Sequence, residues 1–183
     1  MKITSTAIED VLIIEPKLFS DDRGFFLESW NQKKFNQAVG EEITFVQDNH
    51  SHSTKGILRG LHYQLQYPQG KLVRVVAGTV WDVVLDVRKS SPTFGRHVAV
   101  ELSAENNRQL WIPAGSAHGF MVISDEADFL YKTTDYYQPE DEYCIQYNDP
   151  ALNINWRING DFQPILSKKD RQGVAFKHAE HYR

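Results

Sequence analysis

A succession of short apolar runs, alternating or rich in β-branched residues and broken by Gly, Pro, Asn and Ser, is what most restricts how this chain folds. Strands are expected over residues 11–15, 24–30, 43–51, 58–64, 71–77, 79–87, 97–102, 109–112, 119–123, 128–133 and 143–146. Alternation of period two gives each strand a face to bury. Many short strands at such spacing close into a sandwich or barrel. Gly78-Thr79, between two strong strands, reads as a hairpin turn. The best helix candidate is 31–39, with Ser29 or Asn31 near its cap and Gly40 at its stop, and a short helix is expected near 168–172. The fold class is therefore all-β with a few short helices.

The length, 183 residues, suits one domain spanning 1–183, and a hydrophobic share of 41% suits a sizeable core. A formal charge of -4 gives no general attraction to nucleic acid, so an anionic ligand would need a local basic patch. Cys144 is the one cysteine, which excludes an internal disulfide and suits a reducing compartment. The first ten residues lack the apolar centre of a secretory signal, and no apolar run is long enough to span a bilayer. A cytoplasmic location without membrane attachment is expected.

Two histidines and a lysine stand out in the strand-like segments. His62 lies in Arg59-Gly60-Leu61-His62-Tyr63-Gln64, Lys71 in Gly70-Lys71-Leu72-Val73-Arg74, and His118 in Pro113-Ala114-Gly115-Ser116-Ala117-His118-Gly119-Phe120. Imidazole is the side chain best suited to moving a proton near neutral pH, and a nearby ammonium stabilises a developing oxyanion. Together they point to proton abstraction beside a carbonyl. Lys71 shares parity with Val73 and Val75, so it faces inward among apolar neighbours. Arg59 has the opposite parity to His62. Both reach one pocket only if the strand is irregular, and Gly60 is the natural bulge position.

These segments resemble the dTDP-4-dehydrorhamnose 3,5-epimerase family of the cupin superfamily. So do Asp22-Arg23-Gly24-Phe25-Phe26-Leu27-Glu28, Phe45-Val46-Gln47-Asp48-Asn49-His50-Ser51, Ser91-Pro92-Thr93-Phe94-Gly95, Phe129-Leu130-Tyr131-Lys132 and Leu166-Ser167-Lys168-Lys169-Asp170, in the same order and spacing. The resemblance is thinnest after Asp149, where residues 156–162 carry no readable motif. It implies a cupin jelly roll and the substrate dTDP-4-dehydro-6-deoxy-D-glucose, whose C4 ketone acidifies the hydrogens on C3 and C5. It also implies roles: His62 as base, Asp170 as its carboxylate partner, Tyr131 as acid and Lys71 as the enolate's cation. His118 would hold the sugar or the C4 oxygen, a core role being nearly as natural for it. Arg59 would meet the pyrophosphate. Arg23, Glu28, Gln47, Asp48, Asn49, Glu142 and Lys169 would serve the nucleotide end, with Lys168 an alternative to Lys169. Family members are homodimers that exchange N-terminal strands, so Arg23 and Glu28 would complete the partner's site.

The metal-binding cupin pattern is only half present. Gln64 stands where the second histidine of His-x-His belongs, and Pro68 and Gln69 stand near the glutamate position, while Pro113-x-Gly115-x-x-His118 is intact. Two imidazoles are fewer ligands than a firmly held metal wants. His50 and His52 are a weaker alternative source. No metal and no redox cofactor are expected, and the chain has no GxGxxG or Walker lysine loop. The readings left open are a single-carbon epimerase, a 3,4-ketoisomerase, a non-catalytic sugar-nucleotide module and a metal-dependent cupin oxygenase.

Overall fold

The computed structural model describes residues 1–183 except Asn159 and Asp161. In chain order the strands are β1 (Lys2–Ser5), β2 (Leu12–Glu15), β3 (Leu18–Asp21), β4 (Gly24–Leu27), β5 (Gln47–Thr54), β6 (Leu58–Gln64), β7 (Lys71–Ala77), β8 (Thr79–Asp86), β9 (His97–Ser103), β10 (Gln109–Ile112), β11 (Ser116–Val122), β12 (Glu126–Thr133) and β13 (Glu142–Cys144). One helix, α1 (Gln32–Val39), separates β4 from β5. Asn31 caps it by accepting from the Lys34 N–H, and Gly40 ends it in the left-handed conformation. The second expected helix is a single 3-10 turn, Asp170–Gln172.

Two antiparallel sheets face each other as a cupin jelly roll. Their strand orders are β1-β2-β10-β7-β12-β5 and β13-β6-β11-β8-β9. The inner faces meet in a core that includes Val73, Val75, Val80, Val84, Val100, Leu110, Phe120 and Phe129. Both outer faces are covered in part. Helix α1 lays Phe35 against Leu72 and Trp111 on the six-stranded sheet. The stretch after Asp149, which carries no motif, packs Leu152, Trp156, Leu166 and Phe176 onto the back of the five-stranded sheet. Strand β11 is accordingly buried from end to end, its sequence reading as a continuous run rather than an alternation.

Gly78 does not make a hairpin. Strands β7 and β8 belong to different sheets, and the chain passes between the sheets at this glycine. Gly78 has φ +72, and a Cβ there would lie 1.9 Å from the Glu126 carbonyl oxygen, so only glycine fits the corner. A positive-φ glycine serves a hairpin and a sheet corner equally well, and strand partners are set by packing the local sequence does not encode. The structure also adds β1 and β3, which the sequence did not suggest, ends β4 at Leu27, and starts β5 at Gln47 rather than 43.

Candidate active site

The inner faces of the two sheets diverge at one end around a cavity of about 660 Å³. Gln47, Asn49, Lys71 and Tyr131 line it from the six-stranded sheet; Arg59, His62, His118 and Glu142 line it from the five-stranded sheet. Lys169 and Asp170 close it from the C-terminal segment. Ten of the residues expected from the sequence thus meet in one place.

Strand β6 reaches the cavity twice because it is bulged. His118 pairs with His62 and Phe120 with Arg59, so two residues of β6, Gly60 and Leu61, lie opposite Gly119 alone. The bulge reverses side-chain parity, turning Arg59, His62 and Gln64 inward while Leu58, Leu61 and Tyr63 pack outward. It needs Gly60: φ is +108, and a Cβ would lie 2.5 Å from the His118 carbonyl oxygen. It also frees the Gly60 N–H, which donates to Asp170 Oδ1 at 3.0 Å.

Asp170 is buried, and its other oxygen accepts from Ser167 Oγ at 2.5 Å. Burial alone would push its carboxyl up. The close approach of His62 and donation from Ser167 and Gly60 outweigh that and hold it at about 2. His62 Nε2 lies 2.8 Å from Asp170 Oδ1 without the alignment of a well-formed hydrogen bond. On the ring's other side, Glu142 Oε1 stands 3.9 Å from Nδ1.

On the facing sheet, burial pushes the Tyr131 phenol up, opposed by Arg59 nearby. The phenol therefore stays protonated at neutral pH. Lys71 lines the cavity and is half-buried. Desolvation brings it down to about 8, with Asp82 resisting. At the mouth, Arg59 donates to Ser53 Oγ, and Gln47 donates to Asn49 Oδ1 while accepting from the Tyr137 N–H. Lys169 pairs with Glu142 and donates to the Tyr137 hydroxyl.

Three expected residues lie elsewhere. Asp48 has the wrong parity on β5 and pairs with Lys132 on the outer face at 2.9 Å. Glu28 follows β4 and pairs with Lys34 on α1. Arg23 sits at the tip of the β3–β4 hairpin, bound among the described residues to Asp21 alone, with its side chain 89% exposed. Other groups at the site drew no attention in the sequence. Tyr137 and Ser51 line the cavity, and Ser167 and the Gly60 N–H hold Asp170. Asp82 bonds His118. Ser167 meets Asp170 three residues along the chain, whereas the Gly60 N–H and Asp82 meet their partners only through tertiary contact.

The donor chemistry does not resemble a metal centre. The Gln64 amide is spent on the Tyr67 and Tyr136 carbonyls and the Gln138 N–H, stapling the two mouth loops together. His118 Nε2 is bound to Asp82. Among the described residues, His62, Cys144 and Asp170 form the one group with ligand atoms mutually within 4.8 Å. Within it the Cys144 thiol is pushed up to about 12 by burial, and both Asp170 oxygens already accept hydrogen bonds. His50 and His52 lie outside the cavity, with Asp128 between them.

An imidazole–carboxylate pair on one wall, facing a phenol and a buried ammonium on the other, is equipment for carbon acid–base chemistry. The fold and site define a proton-transferring isomerase on a cupin scaffold. Residues 5–178 match the family model described as dTDP-4-dehydrorhamnose 3,5-epimerase. Enzymes of that name from Pseudomonas aeruginosa and Shigella flexneri are each 58% identical to this chain, the first over 98% of both chains, the second over 100% of this chain and 99% of its own. The crystal structure of dTDP-6-deoxy-D-glucose-3,5-epimerase from Legionella pneumophila, in complex with dTDP-4-keto-L-rhamnose, superposes with a TM-score of 0.94 at 53% identity, over 98% of this chain and 94% of that one. The chain belongs to the dTDP-4-dehydrorhamnose 3,5-epimerase family.

Proposed function

We propose that residues 1–183 act as one domain that epimerises dTDP-4-dehydro-6-deoxy-D-glucose at C3 and C5, giving dTDP-4-dehydro-L-rhamnose. Inversion at carbon needs proton removal on one face of the sugar ring and delivery on the other. The placement of His62 and Tyr131 on facing sheets is the observation that carries this reading. His62, anchored by Asp170, removes the proton next to the C4 ketone. Lys71 holds the enolate oxygen, and Tyr131 returns a proton to the opposite face. His118 contacts the sugar. Arg59 takes the pyrophosphate, and Gln47, Asn49, Glu142 and Lys169 hold the nucleotide end. The chemistry runs without metal or redox cofactor. Incubation with the keto sugar nucleotide in heavy water tests the reading, with deuterium expected at both carbons. Exchange at one carbon would mark a single epimerase, and none would mark a binding module.

The protein works as a cytoplasmic homodimer whose β3–β4 hairpins cross to the partner and bring Arg23 and Glu28 to its cavity. The hairpin pairs with no other strand among the described residues, and it exposes Phe19, Phe25 and Phe26. A surface of that kind calls for cover. Asp48, on the outer face of β5, stays a candidate only in that assembly. Among the described residues, no helix is long and apolar enough to cross a membrane. Mixing inactive Arg23→Ala and His62→Ala proteins tests the exchange: shared sites would regain activity in the mixed dimer, and self-contained sites would not.

A further inference from the structure

Two features singled out in the sequence take no part in the chemistry above: Ser91-Pro92-Thr93-Phe94-Gly95, and the Gly115 of Pro113-Ala114-Gly115. Neither lines the cavity. The first is wound around Asp86, which is fully buried at the end of β8. Asp86 Oδ2 accepts from Ser91 Oγ at 2.5 Å and from Thr93 Oγ1 at 2.7 Å, and its backbone carbonyl accepts from the Gly95 N–H at 2.9 Å. A loop pinned at three points thus presents one large side chain, Phe94. The C-terminal end of the chain meets it. The Phe94 ring lies 5.2 Å from that of Phe176 and 5.0 Å from that of His181, which are 4.5 Å from each other. Both glycines make room for the same segment. A Cβ on Gly95, at φ +75, would lie 3.3 Å from the Phe176 ring; one on Gly115, at φ +83, would lie 3.0 Å from the Tyr182 ring.

We infer that the Ser91–Gly95 loop and residues 176–182 form a clasp that positions Asp170 and Lys169 from outside the barrel. This rests on the reading of Asp170 as the anchor of His62. After Leu166 the described residues form no named strand and no α-helix, only the 3-10 turns Asp170–Gln172 and Phe176–His178. With no ladder of its own, the segment takes its path from separate ties. Near the site these are Ser167, the Gly60 N–H, and Val174, which bonds the Cys144 carbonyl at 3.0 Å and the Gln146 N–H at 2.9 Å. Beyond them the Phe176 N–H donates to Asp149 Oδ2 at 2.6 Å, the Tyr63 hydroxyl to the Glu180 carbonyl at 2.5 Å, and the Lys89 N–H to the Tyr182 carbonyl at 2.8 Å. Tyr63 follows His62 on β6, so the clasp also fastens the back of the base's own strand to the segment that bears its carboxylate. A chain end held by scattered ties frays inward from the last of them. Opening the Phe94 contact moves that fraying toward Asp170, where a displacement of about 1 Å is enough to slow the chemistry.

The test is a double-mutant cycle in the full-length protein, read as solvent-deuterium exchange at saturating keto sugar nucleotide below the melting temperature of every variant. Phe94→Ala should lower exchange roughly tenfold to a hundredfold. In the Asp170→Asn background the same change should cost less than about twofold, because the group it positions is already gone. Phe94→Tyr, which keeps the ring, should hold the parent rate. Amide hydrogen exchange should quicken over residues 167–173 in Phe94→Ala and stay unchanged in β7 and β12. If Phe94→Ala does not fold, the chain ending at Ala179 takes its place, since it loses the Glu180, His181 and Tyr182 ties and keeps the loop. Parent-rate exchange in Phe94→Ala, an equal loss in both backgrounds, or unchanged amides over 167–173 would overturn the inference and leave the loop a purely structural element. Parent-rate exchange in Asp170→Asn alone would instead refute the reading of Asp170, and the amide measurement would still decide whether the clasp holds the segment.

Discussion

Replacing Asp170 with asparagine should damage stability and catalysis through the same atoms, with different pH dependence. The folded carboxyl lies at about 2, against 3.8 for an unperturbed aspartate. A depressed acid adds stability above its unfolded pKa and loses it as pH falls toward the folded one. The difference is worth about 2 kcal/mol at neutral pH, fades through pH 3 and is nearly gone at pH 2. The carboxamide of Asp170→Asn would also offer one acceptor where the Gly60 N–H and Ser167 Oγ now use two oxygens, costing about 1–3 kcal/mol more. For a chain of this size the sum lowers the melting temperature by roughly 6–15 °C at pH 7. The charge part of the deficit should shrink at pH 3. Below the melt, deuterium exchange should fall roughly a hundredfold or more, because His62 loses the partner that fixes its proton. Scanning calorimetry at both pH values and exchange followed by NMR provide the measurements. A deficit at pH 3 equal to that at pH 7, or exchange at the parent rate, would refute the account of Asp170 as a charged anchor.

Other expectations follow from single contacts. His62→Ala should lose deuterium wash-in at both carbons by roughly a hundredfold to ten-thousandfold, and near-parent exchange at C5 would show a second base. Tyr131→Phe keeps the ring and removes the hydroxyl, so exchange should outlast net inversion; equal loss of both by NMR would place Tyr131 in substrate positioning instead. Gly60→Ala puts a Cβ against the His118 carbonyl in a backbone region that disfavours side chains. It should cost about 2–5 kcal/mol in a denaturant melt, and an unchanged midpoint would show that the bulge is not tightly held. Dialysis against a strong chelator should leave the epimerisation rate unchanged, and a loss restored by one divalent ion would overturn the metal-free mechanism.

Local signals carried most of the fold. The helix cap at Asn31, the stop at Gly40 and the inward parity of Lys71 with Val73 and Val75 all follow from nearest-neighbour rules. Gly60 as a bulge was legible because Arg59 and His62 needed the same cavity from opposite parities. Pairing was not legible. Gly78 carries the same signal for a corner as for a hairpin, and β3 pairs, among the described residues, with β4 alone, which no periodicity in 18–21 announces. The cover over the back of the five-stranded sheet was opaque for a similar reason. Leu152 and Trp156 are buried from irregular backbone, which has no period to read. Among site residues, those embedded in a motif were found. Asp82 and Tyr137 were missed because their neighbours are distant in sequence or lie in loops without a pattern, and Ser167 because a serine three residues before an aspartate is as ordinary in a turn as at a site.

The bulge at Gly60 joins these two halves of the problem. A regular β6 would face either Arg59 or His62 into the cavity, which on the proposed reading means a phosphate site without a base or a base without a phosphate site. One additional residue turns both inward and exposes the N–H that fastens Asp170 behind His62. The same glycine lets β11 approach closely enough to set His118 beside His62. Gln64, two residues on, takes the inward position that a metal-binding cupin gives to a ligand and uses its amide to tie the mouth loops. On the proposed reading, that strand converts the scaffold from holding a cation to holding a sugar nucleotide above a base. The facing strands β7 and β12 need only contribute Lys71 and Tyr131 at ordinary inward positions.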